Sequence, residues 1–293
     1  MSIYRFIVAE QANYSVRRLC EVLIVSRSAF YAWMAGESWQ EDRDRVLTIH
    51  IRAAHRASHC TYGVPRMVVE LRAQGLSVGA RRVARIMKQE GLSGVPKKRF
   101  RGSTTDSSHD SPLAPNLLKR EFTVEAPNVA WVTDITYVPT HGGWVYLAVI
   151  IDLFSRKVVG WAMDSHMEAS LCMAALQNAM DVRGTNQGTM HHSDRGSQYA
   201  SIAYRTALLE NGFVQSMSRK ANCWDNAVAE SFFGTLEQEL VQGLVYRSLD
   251  DAKTAIANYI HHLYNPTRRH KHLGQISPVA FEQNHRNAVR LAA

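Results

Sequence analysis

Three acidic residues stand where an unpaired carboxylate would be costly, in or beside apolar stretches of the sequence. Asp134 lies in the middle of an apolar strand, Asp194 lies just past a short predicted strand, and Glu230 lies early in a predicted helix. Carboxylates that converge from two strands and a helix can bind divalent cations through oxygen ligands. Two such ions about 3.5–4 Å apart stabilise the attacking and leaving oxygens of an in-line phosphoryl displacement. The three acids therefore predict metal-dependent chemistry on phosphate esters.

Three nearby polar residues have competing interpretations. Asp152 also ends an apolar run and is the main rival ligand, although a structural role is favoured for it. Asp225 and Asn226 precede the helix of Glu230 and suit its N-terminal cap. The alternative for this pair is contact with nucleic acid beside the acids.

The elements that must position the acids have an alternating order. Five strands are predicted, at Val129–Pro139, Trp144–Asp152, Lys157–Met163, Thr189–His192 and Phe213–Met217. Helices are predicted at Glu168–Met180, Ile202–Glu210, Ala227–Val241 and Leu249–Tyr264. Three strands in series, followed by alternating helices and strands, predict an α/β fold with a mixed five-stranded sheet of the ribonuclease-H-like type.

The preceding residues are predicted to be entirely helical. Helices at Val16–Leu23 and Arg27–Met34, the second capped by Ser26, form a candidate helix-turn-helix. Further helices are predicted at Asp44–Ser58, Met67–Leu71 and Val78–Gln89. The last of them carries a basic stripe at helical spacing, which suits a helix lying along phosphates: Arg81, Arg82, Arg85 and Lys88. A solvated helix face is the alternative.

Positive charge is concentrated in the first part of the chain. The chain has 293 residues and a net charge of +8. Residues 1–120 contain 20 Lys and Arg and 10 Asp and Glu. The remaining residues hold 14 against 16. This asymmetry favours an anionic polymer such as nucleic acid as the partner of the first part. A basic run at Lys97, Lys98 and Arg99 adds to it.

Composition excludes several classes of protein. The longest apolar run, Trp144–Ile151, is far shorter than the roughly 20 residues of a membrane helix. The N-terminal sequence lacks the order of a signal peptide, and four scattered cysteines do not form a disulfide framework. We therefore expect a cytoplasmic protein that makes no membrane contact. The predicted parts are a helical basic region (1–110), a linker (111–124), a catalytic core (125–245) and a helical C-terminal extension (246–293).

Several motifs occur together, in an order typical of one family, and 35 residues separate Asp194 from Glu230. They are Trp131–Tyr137, Ile151–Lys157, His192–Tyr199, Ser216–Lys220, Asn222–Ala227, Glu230–Leu236, Tyr264–Pro266 with Arg268 and His270, and Ser277–Pro278 with Phe281. On these residues the chain resembles the DDE transposases of the insertion-sequence-three family, second-frame product, which are relatives of retroviral integrases.

The resemblance implies a polynucleotidyl transferase that cleaves phosphodiesters at the ends of an insertion sequence and joins the freed 3′-hydroxyl to target DNA. It implies that Asp134, Asp194 and Glu230 hold Mg²⁺ or Mn²⁺, with two ions expected. It further implies a first-frame helix-turn-helix protein as partner, a homo-oligomer on DNA, and action at the bacterial nucleoid. DNA contacts are also expected from Arg219, Lys220 and Asn226.

One position departs from the family pattern. Glu237 stands seven residues after Glu230, where the family usually has a basic residue. An acid there would repel phosphate, which leaves open a catalytically inactive DNA-binding regulator. A simple nuclease of the same fold, which cleaves without joining, is a second alternative, because the acidic triad alone does not separate it from a transposase.

Overall fold

The chain forms two compact units, Met1–Gly94 and Val95–Ala293. The structure is a computed structural model that describes residues 3–95, 112–184, 187–219 and 223–292. Each unit has cores of its own, built from different elements.

The first unit is helical throughout. Its helices are α1 (Ile3–Glu10), α2 (Val16–Val22), α3 (Arg27–Ala57), α4 (Val64–Ala73) and α5 (Ala80–Gln89). The predicted cap is confirmed, because the Ser26 Oγ accepts a hydrogen bond from the Ala29 N–H at 3.4 Å.

The separate helices predicted at Arg27–Met34 and Asp44–Ser58 are wrong, because α3 runs through both as one helix of 31 residues. Its two ends serve different cores. Phe30, near the start, packs with Ile7 of α1 and with Leu19 and Cys20 of α2. The other end contributes Leu47, Ile51 and Ala54 to a core shared with α4 and α5. A helix that is buried at both ends gains stability from two cores, so its polar middle does not interrupt it.

The turn between α2 and α3 holds a strained residue. Ile24 has a φ of 54°, in the left-handed region that β-branched residues rarely adopt. Its side chain is 92% exposed, so no burial in the described unit compensates for the strain. The sequence lacks the glycine that is often found in such turns, and Ile24 takes its place.

The second unit contains the predicted five-stranded sheet. Its strands are β1 (Ala130–Thr140), β2 (Gly143–Asp152), β3 (Val158–Asp164), β4 (Met190–Ser193) and β5 (Val214–Met217). The order across the sheet is β3-β2-β1-β4-β5. β2 pairs antiparallel with β1 and β3, whereas β4 pairs parallel with β1 and β5. This mixed sheet confirms the predicted ribonuclease-H-like fold class.

Helices cover both faces of the sheet. They are α6 (Ala169–Arg183), α7 (Ser197–Ala200), α8 (Ile202–Glu210), α9 (Ala227–Leu236), α10 (Leu249–Asn258) and α11 (Pro278–Ala292). The core on one face is formed with α6 and α8, and the core on the other with α9 and α10. α9 and α10 each continue into a π-helical segment, Glu237–Val241 and Tyr259–Tyr264 respectively, so the two predicted helices extend over their expected length.

Part of the segment predicted as a linker packs on the second unit. Leu118 is buried in a core of this unit, and the backbone N–H groups of Leu117 and Leu118 donate to the Ser216 Oγ at 2.9 and 3.3 Å. The Met217 N–H donates to the Pro115 carbonyl at 3.3 Å. Residues 115–118 therefore behave as part of the sheet unit, which differs from the flexibility expected of a linker.

The C-terminal elements are fastened to the same unit. The Asn265 side chain donates to the carbonyl of Val158 at 2.9 Å and accepts from its N–H at 3.0 Å, so it covers part of edge strand β3. Glu282 of α11 is buried, pairs with Arg183 and accepts from the Ser155 Oγ at 2.7 Å. Among the described residues, no helix is both long and apolar enough to span a bilayer.

Candidate active site

Asp134 and Asp194 lie side by side because of the strand register. Val132 of β1 pairs with His192 of β4 in parallel. Extending this register by two residues on each strand brings Asp194, just past the end of β4, beside Asp134. Neighbouring strands are about 4.8 Å apart, and residues in register share a face. Sheet geometry alone therefore brings two of the three predicted acids together.

Asp134 is half-buried among other acids. Its pKa lies well above the usual range, first because burial disfavours the charged form and then because the charge on Asp194 repels a second charge. Glu230 adds to this repulsion, whereas the Ile135 N–H, which donates to Oδ1 at 2.8 Å, opposes it. A nearby positive charge would oppose both effects and favour the ionised form of this carboxyl.

Asp194 is held by the turn that follows β4. Its Oδ1 accepts the Gly196 N–H at 2.9 Å, and its carbonyl accepts the Ser193 hydroxyl at 2.8 Å. A Cβ on Gly196 would lie 3.1 Å from this Oδ1 and 2.8 Å from the Gln198 Oε1. The glycine therefore permits the close approach that fixes the Asp194 carboxylate.

Glu230 approaches from the first turn of α9. Ala229, Phe232 and Phe233 on the same helix are buried in the core, so the orientation of the helix is set by packing. Burial raises the pKa of Glu230. The charge of Glu230 also contributes to the raised pKa of Asp134, which is consistent with the three acids lying near one another.

Asn226 connects α9 to β1 next to Asp134. Its Nδ2 donates to the Thr133 carbonyl at 3.1 Å, and its side chain makes no cap hydrogen bond although it occupies the N-cap position. Its Oδ1 is buried and has no hydrogen-bond partner within the described residues. The capping role expected of Asn226 is therefore wrong.

Asp225 is fully buried and ionised. Its two oxygens accept hydrogen bonds from Arg219, Arg120 and Asn116, at 2.8–3.0 Å. The hydrogen bond from Arg219 is the largest influence, and with the other donors it holds the pKa of Asp225 far below the usual range. Arg219, a predicted DNA contact, is thus engaged inside the protein. Arg120 and Asn116 were not predicted as partners of Asp225, since they lie more than a hundred residues away from it in the sequence.

The three acids have the ligand chemistry that a divalent cation prefers, although their side chains are not close enough together to form a metal-binding group. All the donor atoms are carboxylate oxygens, the ligands preferred by Mg²⁺ and Mn²⁺, and a cation would offset the repulsion recorded at Asp134. Among the described residues, however, no three His, Cys, Asp or Glu side chains form a group that could hold a metal ion.

Asp152 is engaged in a turn. Its Oδ2 accepts the Asn128 N–H at 2.7 Å, and its Oδ1 accepts the N–H groups of Phe154 and Ser155 at 2.8 and 3.4 Å. These contacts are those of a residue that shapes the connection between β2 and β3.

Glu237 lies at the C-terminal end of α9, at the start of the first π-helical segment. Its charge helps to raise the pKa of the Tyr246 hydroxyl, after the larger effect of burial. An acidic residue therefore lies where the resemblance predicted a basic one.

The basic stripe of α5 is divided between two roles. Arg82 and Arg85 both pair with Asp44 of α3, the first at 2.7 Å. Arg81 and Lys88 are exposed, and neither forms an ion pair with another described residue. Lys97, Lys98, Arg99 and Lys220 lie outside the described residues.

Comparison with known proteins decides the family. Models described as "Integrase core domain" match residues 124–223 and 230–285, and one described as "HTH-like domain" matches residues 41–100. "Transposase InsF for insertion sequence IS3A" of Escherichia coli (strain K12) is 38% identical over 283 residues, which is 95% of this chain and 98% of that protein. The chain belongs to this transposase family.

Two further matches accompany it. The "Insertion element IS600 uncharacterized 31 kDa protein" of Shigella sonnei is 43% identical over 268 residues, covering 91% of this chain and 98% of that one. A solved structure of a simian T-cell lymphotropic virus intasome in complex with the PP2A regulatory subunit B56 gamma is also similar. The match is 17% identical and covers 79% of this chain and 74% of the chain in that structure. Its TM-score of 0.45 is too low to support an inference.

The transposase is of the DDE type, a polynucleotidyl transferase, and it binds DNA. Its relatives do not favour the inactive regulator or the simple nuclease. The helix-turn-helix-like match falls on the second half of α3 with α4 and α5, rather than on the α2–α3 pair that the sequence first indicated.

Proposed function

We propose that this transposase cleaves and joins DNA strands at the ends of its insertion sequence through Asp134, Asp194 and Glu230. The observation that carries the proposal is the register of β1 and β4, which sets Asp194 beside Asp134. The effects of Asp194 and Glu230 on the pKa of Asp134 support it, because they join the three acids into one group.

The triad would hold Mg²⁺ or Mn²⁺, most productively as a pair of ions. Bound there, the ions would supply the positive charge that stabilises the attacking and leaving oxygens during phosphodiester displacement. Asp134 contributes a position fixed by the central strand of the sheet, and Asp194 a position fixed by the Gly196 turn. Glu230 approaches from α9, whose start Asn226 ties to β1.

The helical unit would bind DNA through α5. Arg81 and Lys88 are the members of the basic stripe that are available to phosphates, whereas Arg82 and Arg85 are held by Asp44. We keep Lys97, Lys98, Arg99, Arg219, Lys220 and Asn226 as proposed DNA contacts. For Arg219, a contact must coexist with its bonds to Asp225.

The substrates would be the terminal repeats of the element and a target DNA at the bacterial nucleoid. Recognition of the ends would be shared with the first-frame helix-turn-helix protein of the same element. Several copies of the chain would hold two ends together, since joining requires both ends to meet one target.

The test compares the wild-type chain with Asp194→Asn on a labelled duplex that carries the terminal repeat, in Mg²⁺ or Mn²⁺. An asparagine keeps an oxygen for the Gly196 N–H, so folding should survive. Asp181→Asn is the matched control, because Asp181 is exposed on α6 and, within the described part of the chain, its side chain bonds only to Gln177. We expect cleaved and joined products from the wild type and the control, and neither product from Asp194→Asn.

Two results would contradict the proposal. Cleavage without joining would assign a nuclease, and binding without cleavage, even with the first-frame protein added, would assign an inactive regulator. The second result would direct attention to Glu237.

A further inference from the structure

A large aromatic side chain is exposed at the approach to the acid triad. Trp224 is 67% exposed, in a short 3-10 helix (Cys223–Asn226) that leads into α9. The two residues that follow it are buried. Trp side chains are usually well covered by the protein, so an indole that stays in solvent beside two buried residues calls for a role outside the core.

The residues that follow Trp224 are fixed to the protein. Asp225 is bonded to Arg219, Arg120 and Asn116. Asn226 donates to the Thr133 carbonyl. An aromatic side chain on such an anchored segment loses little further freedom when it binds a flat partner, so it is well prepared for stacking.

The anchor also sets the distance to the acids. Consecutive Cα atoms are 3.8 Å apart, so the Cα of Trp224 lies within about 7.6 Å of the Cα of Asn226. Asn226 in turn contacts the residue that precedes Asp134. The backbone of Trp224 therefore lies close to the segment of β1 that carries Asp134.

We infer that Trp224 stacks on an unpaired nucleobase of the DNA strand held at the triad. The inference rests on the proposed function, because it assumes that this triad receives the DNA. Stacking on an aromatic side chain tolerates any base, since every base has a flat face. It would position a strand for cleavage or joining without reading its sequence.

The experiment measures stacking apart from cleavage. The full chain is titrated, without divalent metal, with a fluorescent duplex that ends in a 3′ overhang of three thymidines. A second duplex carries three abasic sites in place of these nucleotides. The ratio of the two dissociation constants isolates the contribution of the bases, because duplex and phosphate contacts are common to both probes.

Base–aromatic stacking predicts that the wild type binds the thymidine probe about tenfold more tightly than the abasic one. Trp224→Ala should reduce this ratio to about one, and Trp224→Phe should retain part of it. Trp144→Ala is the matched control, because Trp144 is 56% exposed and packs edge-on against Tyr137. Trp144 pairs with Pro139, which lies five residues, or about 17 Å, along β1 from Asp134. This control should keep the wild-type ratio.

Two results would overturn the inference. One is a wild-type ratio near one, and the other is a Trp224→Ala variant that keeps the full ratio, even if its self-association changes and so indicates a protein contact. A loss of affinity of Trp224→Ala for both probes alike is a case of the second result, because the ratio is then unchanged. Asp194→Asn separates the two proposals, because it should abolish cleavage while leaving the base-dependent ratio unchanged.

Discussion

Asp225→Asn tests whether the buried carboxylate before α9 holds the site together. The carboxylate accepts five hydrogen bonds: three from Arg219, including its backbone N–H, one from Arg120 and one from Asn116. Oδ1 receives two of these donors and Oδ2 receives three. Whichever oxygen becomes the NH₂ group of asparagine, at least two donors then face another donor.

The structure sets the size of the loss. A hydrogen bond to a charged group contributes about 1.5–3 kcal/mol, so two lost bonds amount to about 3–6 kcal/mol. Both arginine side chains are about half exposed, and water can replace part of what they lose. We therefore expect Asp225→Asn to lower the stability of the second unit by about 2–4 kcal/mol at neutral pH.

The pH dependence has a definite sign. The pKa of Asp225 is lowered in the folded state, so its stabilisation is fully present above the unfolded value, near 3.9, and is lost as the pH falls towards the folded value. The difference between wild type and variant should therefore be constant from pH 5 to 8. It should shrink below pH 4.

The assay is urea unfolding combined with hydrogen exchange of two peptides, one covering residues 112–122 and one covering residues 223–230. Both peptides should exchange faster in Asp225→Asn, and cleavage should slow even where the variant remains folded. Asp181→Asn, on the exposed face of α6, is the control and should change neither property. Unchanged stability and unchanged exchange in Asp225→Asn would refute the reasoning.

Three shorter predictions follow from the same structure. Ile24→Gly should stabilise the helical unit by about 0.5–1 kcal/mol in thermal unfolding, because it removes left-handed strain and no buried contact; a loss of stability would mean that the exposed side chain is used. Arg81→Ala and Lys88→Ala should each reduce by about one the number of ions released on DNA binding, measured as the slope of log affinity against log salt concentration, without changing stability. Arg82→Ala should instead destabilise the helical unit, because it breaks the ion pair with Asp44. Glu237→Lys should steepen the same salt dependence by about one ion, and an unchanged slope would place this position away from the DNA.

The sheet could be predicted because its strands are largely apolar runs separated by turns and helices. The sequence predicts that Asp134 and Asp194 lie near each other, but it does not predict that they lie side by side, because it does not give the register of β1 and β4. The register follows from how helices on both faces pack against the sheet, which is a property of the whole unit.

Long-range contacts account for what the sequence could not predict. The stripe on α5 showed which basic residues share a helix face, but not that Asp44 faces two of them from α3. The segment of Asn116 and Arg120 has the composition of a linker, yet it supplies two of the partners of Asp225. In each case the partner is distant in sequence, so local pattern carries no information about it.

Three aspartates of the second unit, of which Asp152 and Asp225 are buried and Asp134 is half-buried, show how surroundings give one residue type different roles. Asp225 faces two arginines and stays ionised. Among the described residues, the Asp152 side chain accepts hydrogen bonds only from backbone N–H groups, and burial raises its pKa. Asp134 has acids, Asp194 and Glu230, among its largest electrostatic neighbours. A divalent cation gains most where negative charge is least compensated, so these electrostatics favour Asp134 over Asp225 as the centre of the proposed metal site.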